Sequence, residues 1–318
     1  MVSKVTPDDM LSASRLPALM GLSKYRSPND ELQYSIGAMQ GENVRTEGNE
    51  AMSWGNELEP IILREAARRL RLIDLVTDHP EAKFHPDVPL CCSLDGTADG
   101  GGQIITTDPD AGIYVIGQDQ IELAGIGVLE AKLTSVSPED TPALYRGPIQ
   151  LQAQMDIVQA RWGCIAVLYQ GTELRLFLFA PHQPLVDRIY GLATDFQRRL
   201  DIWKKKQIVD WYQPINSKDA DRMFPQADEA VIDLGSEGER LAREILEAKK
   251  TITKAEADRE EAEKKLKTML RTASRGTAGN LEIKWPMRNY AATAARVVPA
   301  KAAYSVRQST LAIKELKK

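Results

Sequence analysis

The chain has 318 residues, 43% of them apolar and 27% charged, which suits one large domain with an appendage and excludes wholesale disorder or a fibrous repeat. Its longest apolar runs, such as Gly163 to Tyr169, fall far short of the ~20 residues of a membrane span, and MVSKVTPDDM carries no apolar signal core, which predicts a cytoplasmic protein without a membrane role. The formal net charge of -4 is uneven: eight Lys or Arg face two acids from Leu281 to Lys318, giving +6 there and -10 over residues 1–280, so the tail reads equally as a phosphate-contacting arm or a solvated basic end.

The first 230 residues alternate helix-like and strand-like segments, punctuated at Ser27-Pro28-Asn29, His85-Pro86-Asp87, Asp108-Pro109-Asp110 and Gly171-Thr172, which predicts an α/β core. Within it, Trp54 to Pro60 leads into an apolar-periodic segment through Leu70. Pro60 suits a first helical turn and would put Glu59 near a helix N-terminus, where a favourable helix-start charge explains Glu59 and Glu57 equally well. Cys91 to Gly96 reads as an apolar strand end delivering Asp95 at a glycine turn. The Gly- and Asp-rich stretch from Asp99 to Gly127 reads as an extended hairpin or loop insertion; a phosphate cradle at Gly100-Gly101-Gly102 lacks the Lys-Ser/Thr signature that would support it.

Gly163 to Tyr169 and Glu173 to Phe179, broken at Gly171-Thr172, predict an antiparallel hairpin. From Gly235 the composition shifts. Ser236 and Glu239 read as a capping box opening a charged helix to about Arg271, with a 4-3 seam from Leu241 to Met269 that favours packing against the core or another helix over a free coiled coil. The predicted organisation is a core over 1–232, a charged helix over 236–272 and a basic strand-and-tail segment over 280–318.

Six Glu-x-Lys copies start at Glu81, Glu130, Glu247, Glu263, Glu282 and Glu315, so the motif alone says little. The Glu130 copy stands apart because alternation along Gly127 to Leu133 puts Val128, Glu130 and Lys132 on one strand face. An exposed face with a charge pair would account for that, but an upstream Asp95 supplies a second carboxylate, and two carboxylates suit a hard divalent cation. Three histidines and three cysteines exclude a single-chain four-cysteine cluster and argue against a histidine-rich site. Downstream, Gln150, Gln152 and Gln154 open a helix, with Gln150 and Gln154 sharing a face.

In order, Ser12-Ala13-Ser14, Trp54-Gly-x-x-x-Glu59, Cys92-Ser-x-Asp95-Gly96, Leu129-Glu-x-Lys132 and Gln150-x-Gln-x-x-Met155 resemble the lambda-exonuclease/YqaJ viral recombinase family of the PD-(D/E)xK nuclease superfamily. The resemblance spans about residues 10 to 205 and implies a mixed central sheet flanked by helices, a restriction-endonuclease-like core. It implies magnesium, with manganese as a substitute, and 5′-to-3′ digestion of one strand of linear duplex DNA for recombination. A PD-(D/E)xK endonuclease or flap nuclease, and a catalytically silent DNA-binding protein, are the alternatives. By position, Glu59, Asp95, Glu130 and the Ala131 carbonyl would be metal ligands, and Lys132 would orient or deprotonate the attacking water. Gln150 or Gln152 would support that lysine or the phosphate, and Ser14 with Arg15 would hold the 5′-phosphate. The partners implied are duplex ends, a single-strand-annealing protein and further copies of the chain in a ring-shaped trimer. Two departures stand out: Pro7 replaces the family's usual arginine, and the Asp95 to Glu130 interval is long.

Overall fold

In the computed structural model, which describes residues 6–45, 48–227 and 229–287, the chain divides into two units, Met1–Met223 and Phe224–Lys318. The first opens with a 3-10 turn at Ala13–Arg15, then α1 (Leu16–Leu19), α2 (Pro28–Met39) and α3 (Glu50–Leu70). Strands β1 (Ile73–Val76), β2 (Lys83–Phe84), β3 (Cys91–Cys92), β4 (Gly96–Asp99), β5 (Gln103–Thr106), β6 (Ile113–Val115), β7 (Gln120–Leu123) and β8 (Ile126–Thr134) follow. Then come α4 (Pro148–Ile157), β9 (Gly163–Tyr169), β10 (Glu173–Phe179), α5 (Gln183–Lys206) and α6 (Ser217–Met223).

Six strands form the central sheet in the order β1-β4-β8-β9-β10-β6, with β8/β9 and β10/β6 parallel and the remaining pairs antiparallel. This is the mixed sheet that the family resemblance implies. Alternation sorts side chains to two faces. Val128, Ile165, Val167, Tyr169 and Phe177 join α4 and α5 in one buried cluster, while Leu129, Cys164, Ala166, Leu174, Leu176 and Leu178 join α3 in the other. Helix α5 buries Val186, Ile189, Ala193, Phe196, Leu200 and Trp203, a 3- and 4-residue spacing that gives one apolar stripe. Each Val, Ile, Leu or Phe among them, fully buried, contributes roughly 1.5–3 kcal/mol.

The β9/β10 hairpin forms as expected, although its register, Tyr169 opposite Glu173, leaves three residues in the loop rather than two. Gln170 and Gly171 both take positive φ there, the second at no steric cost. The Asp99 to Gly127 insertion is a β5/β7 hairpin whose tip strand, β6, returns to extend the main sheet beside β10. The triple glycine is a turn: a Cβ on Gly100 would lie 2.3 Å from Leu123, and Gly101 and Gly102 have positive φ.

Two expected helix starts differ. Helix α3 begins nine residues before Glu59, capped by the Asn49 side chain accepting from Met52 N, and Pro60 lies inside it. Asn56, whose carbonyl lacks the helical partner that Pro60 has no N–H to supply, is exposed, so that carbonyl is open to solvent. In the second unit, α7 (Gly235–Leu270) has Leu234 at its N-cap, and Gly235 N donates to Asp233 instead of a Ser236–Glu239 box forming.

No residue of α7 is buried, and pairs such as Arg243–Glu239 and Lys250–Glu247 lie along its surface. A hairpin follows, β11 (Arg275–Ala278) and β12 (Leu281–Lys284), joined at Gly279-Asn280 with Gly279 at φ 59°. Most of the expected basic tail, residues 288–318, lies outside the described residues. Among the described residues no helix is long and apolar enough to cross a membrane.

Candidate active site

Burial separates the six Glu-x-Lys copies. Glu81, Glu247, Glu263 and Glu282 are exposed and Glu315 lies outside the described residues, whereas Glu130 is 2% exposed in the middle of β8. It sits one pleat beyond Val128, so it faces α4 rather than α3.

Three donors, two side-chain amides and one amine, converge on the Glu130 carboxylate. Lys132 Nζ lies 2.6 Å and Gln150 Nε2 2.8 Å from Oε1, and Gln154 Nε2 lies 2.7 Å from Oε2. Gln150 also accepts from Lys132 at 3.2 Å, closing a triangle, and Gln154 also donates to Ser93 O at 2.9 Å. Gln150 lies in the first turn of α4 and Gln154 one turn later, which aims both amides at β8.

Asp95 enters from the other side. It directly precedes β4, whose pairing with β8 starts at Gly96 opposite Leu129, so Gly96 opens a strand rather than turning one. Asp95 Oδ2 accepts from Ala131 N at 3.0 Å, taking the place that a further β4 residue would fill. The N–H and C=O of one strand residue share an edge, so the Ala131 carbonyl also turns toward Asp95.

The electrostatics follow from burial. Desolvation, then the Asp95 charge, pushes the Glu130 carboxyl up to about 7 despite the Lys132 ammonium and its amide donors. At Lys132 burial opposes the charge, but Glu130 and Asp95 outweigh it and hold the amine above the usual lysine range. Glu59, half-buried on α3, contributes to that field as a smaller influence.

The structure therefore brings Asp95, Glu130, Ala131, Lys132 and Gln150 together, with Glu59 as a charged neighbour on α3. Two expected residues are engaged elsewhere. Gln152 points away from β8: its Nε2 donates to Ala180 O and its Oε1 accepts from His182 N, both at 2.8 Å, so it ties α4 to the link between β10 and α5. Gln154 takes the place expected for it, and the i, i+4 spacing from Gln150 is the sequence signal for that.

Arg15 is likewise occupied. Its guanidinium donates to the Glu31 carboxylate and carbonyl, Ser35 Oγ and the carbonyls of Asp8 and Met10, filling its donor fork. Its side chain, 10% exposed, is committed to these internal partners. Ser14 is exposed, 3.2 Å from Ser12 Oγ, on a turn that packs against α4; the α1 helix that follows has four residues, too short for a useful dipole.

Among the described residues no three or more His, Cys, Asp or Glu side chains gather as a metal site. Two carboxylates beside a backbone carbonyl do meet, and that donor set fits magnesium, which keeps several waters and commonly takes only one or two protein carboxylates.

A profile of the YqaJ-like viral recombinase domain matches residues 7–304. No curated protein matches the chain. Among solved structures, the chain is similar to an alkaline exonuclease, LHK-Exo, from Laribacter hongkongensis, at 17% identity and TM-score 0.46, over 63% of this chain and 94% of that one. LHK-Exo in complex with dAMP gives 17% and 0.45 over 63% and 95% of the two chains. A phage related exonuclease from Haemophilus somnus 129PT gives 13% and 0.39 over 63% and 96%.

Proposed function

The chain belongs to the YqaJ-like viral recombinase domain family, and from that membership we propose a magnesium-dependent exonuclease that digests one strand of linear duplex DNA from its 5′ end. The observation that carries this reading is the buried Glu130 carboxylate held against Lys132 and Gln150, with Asp95 turned onto the same strand edge.

Asp95, Glu130 and the Ala131 carbonyl would hold the cation, with manganese as a substitute for magnesium. When bound, it supplies Lewis acidity toward a phosphodiester oxygen and toward water. The protein's own groups do the rest. Glu130, fixed by three donors, presents charge at one place without reorganising as the reaction proceeds. Lys132, kept protonated by its two neighbouring carboxylates, orients the nucleophile and places positive charge beside the phosphoryl oxygens. That protonation state favours an electrostatic role over proton abstraction. Gln150 fixes the amine by accepting from it, and Glu59 adds negative charge on the α3 side. Ser14, exposed on the turn beside α4, is the candidate hydroxyl for a terminal phosphate.

On this reading the enzyme works at DNA ends as a ring-shaped trimer, in the host cytoplasm, beside a single-strand-annealing protein. Incubation of linear and covalently closed duplex with and without magnesium tests the activity. Loss of the linear substrate alone, with label released first from 5′ ends, is expected. Cutting of circles would make it an endonuclease, and cutting of neither would leave a DNA-binding protein. Asp95→Ala should be inactive in every arm.

A further inference from the structure

The second unit carries a charge boundary that the proposed nuclease chemistry does not use. Between Ser236 and Glu263 nine acids face six bases, whereas Lys264 to Met287 holds six Lys or Arg against one acid, Glu282. The cations are gathered in space as well as in sequence. Lys264 and Lys267 share one face of α7 and, with Arg271 just past its end, line a groove that ends at Trp285. Glu256, Glu260, Glu261 and Glu263 line the same groove, so the boundary falls within it and only its Trp285 end, at Lys267 and Arg271, is basic. Across the neighbouring hairpin, Arg275 and Lys284 stand directly opposite each other.

That arrangement costs stability. Lys264 and Lys267 are offset by Glu261 and Glu263 one turn earlier, but like charges paired across two strands are unfavourable, and the single carboxylate of Glu282 serves both Arg275 and Lys284. Trp285 is 47% exposed, with Lys267 Nζ 5.8 Å from its ring centroid. An indole left open to solvent, with Lys267 against it and Arg271 in the same groove, is the combination that grips an unpaired nucleic-acid strand: phosphates meet the cations and a base stacks on the ring. A duplex would use the charge but not the indole, because its bases are already stacked.

We infer that the groove between the end of α7 and the β11–β12 hairpin binds single-stranded DNA, with Trp285 as the stacking platform and Lys264, Lys267, Arg271, Arg275 and Lys284 as phosphate ligands. The choice of DNA rests on the nuclease reading, under which digestion of one strand continually exposes the other.

The test is fluorescence anisotropy of the full chain with fluorescein-labelled oligothymidylate and with a duplex of equal length, in chelator so that nothing is digested. Trp285→Ala should weaken oligothymidylate binding at least about five-fold and duplex binding far less, and Trp285→Phe should restore most of the loss. Arg275→Glu with Lys284→Glu, both on the exposed hairpin, should also weaken binding and lower the log–log salt slope by about 0.7 for each phosphate no longer neutralised. Single-strand affinity unchanged in Trp285→Ala and in the charge variant, or an equal loss for both DNA forms in Trp285→Ala, overturns the inference. A wild type that cuts no DNA yet binds oligothymidylate through Trp285 supports it while overturning the nuclease reading.

Discussion

Raising the pH of the metal-free protein perturbs one group above all, the Glu130 carboxyl in the sheet. Burial and Asp95 lift it from the ordinary 4.5 to about 7 in the folded chain. A folded value above the unfolded one means that folding favours the protonated form. The stabilisation is complete below about pH 4.5 and is lost as the pH rises through about 7. At 1.36 kcal/mol per pKa unit, the loss is on the order of 3 kcal/mol. Urea denaturation in chelator at about pH 5 and about pH 8.5 measures it, with Glu130→Gln alongside to cancel every other titrating group. The difference between wild type and variant should shift by roughly that amount against the wild type at high pH. Adding magnesium at the higher pH should recover stability in the wild type alone, about 2.7 kcal/mol at a hundred times its dissociation constant. A wild-type-minus-variant difference that is flat with pH would refute the claim that burial and Asp95 outweigh the donors on the Glu130 carboxylate.

Lys132→Ala should cut turnover by about 10²-fold or more while leaving duplex affinity intact, measured by single-turnover cleavage beside anisotropy. Gln154→Leu strands Ser93 O and Glu130 Oε2, so it should lose about 1–3 kcal/mol for each buried group left unpaired, read by denaturation, and most of the activity. Gln152→Leu should carry a similar stability cost yet keep kcat, because its partners are Ala180 and His182; loss of kcat at full folding would return it to the catalytic set. Arg15→Ala should destabilise by less than the about 3–5 kcal/mol of a fully broken buried pair, because Arg26 stays on the Glu31 carboxylate, without a selective effect on 5′-phosphorylated ends.

What the sequence reveals follows the range of the interactions involved. The β9/β10 hairpin and the two-faced β8 are readable because pleat and turn are local, and Gln150 with Gln154 because a helical turn is. Arg15 reads as a phosphate ligand in the sequence because its partners, Glu31 and Ser35, arrive from α2 and leave no local signature. Glu59 is misplaced for a different reason: proline is a helix-start signal only on average, and an exposed turn ahead of Pro60 lets α3 run through it. The return of β6 to the main sheet is a pairing across more than sixty positions that no period in the insertion announces.

Six Glu-x-Lys copies are equivalent as strings, and what distinguishes one is a stagger between strands. Strand β8 runs on to Thr134 against β9, but its other neighbour, β4, starts only at Gly96 opposite Leu129. Beyond that point the β8 edge has no strand to pair with, and an unpaired N–H at this depth is costly. Asp95, the residue just before β4, supplies the acceptor for Ala131 N. The same shortfall therefore brings a second carboxylate to Glu130 and turns a backbone carbonyl toward both. Extending β4 by residues that pair normally would satisfy the edge and remove the site, which is why neither the Asp-Gly nor the Glu-x-Lys string identifies it alone.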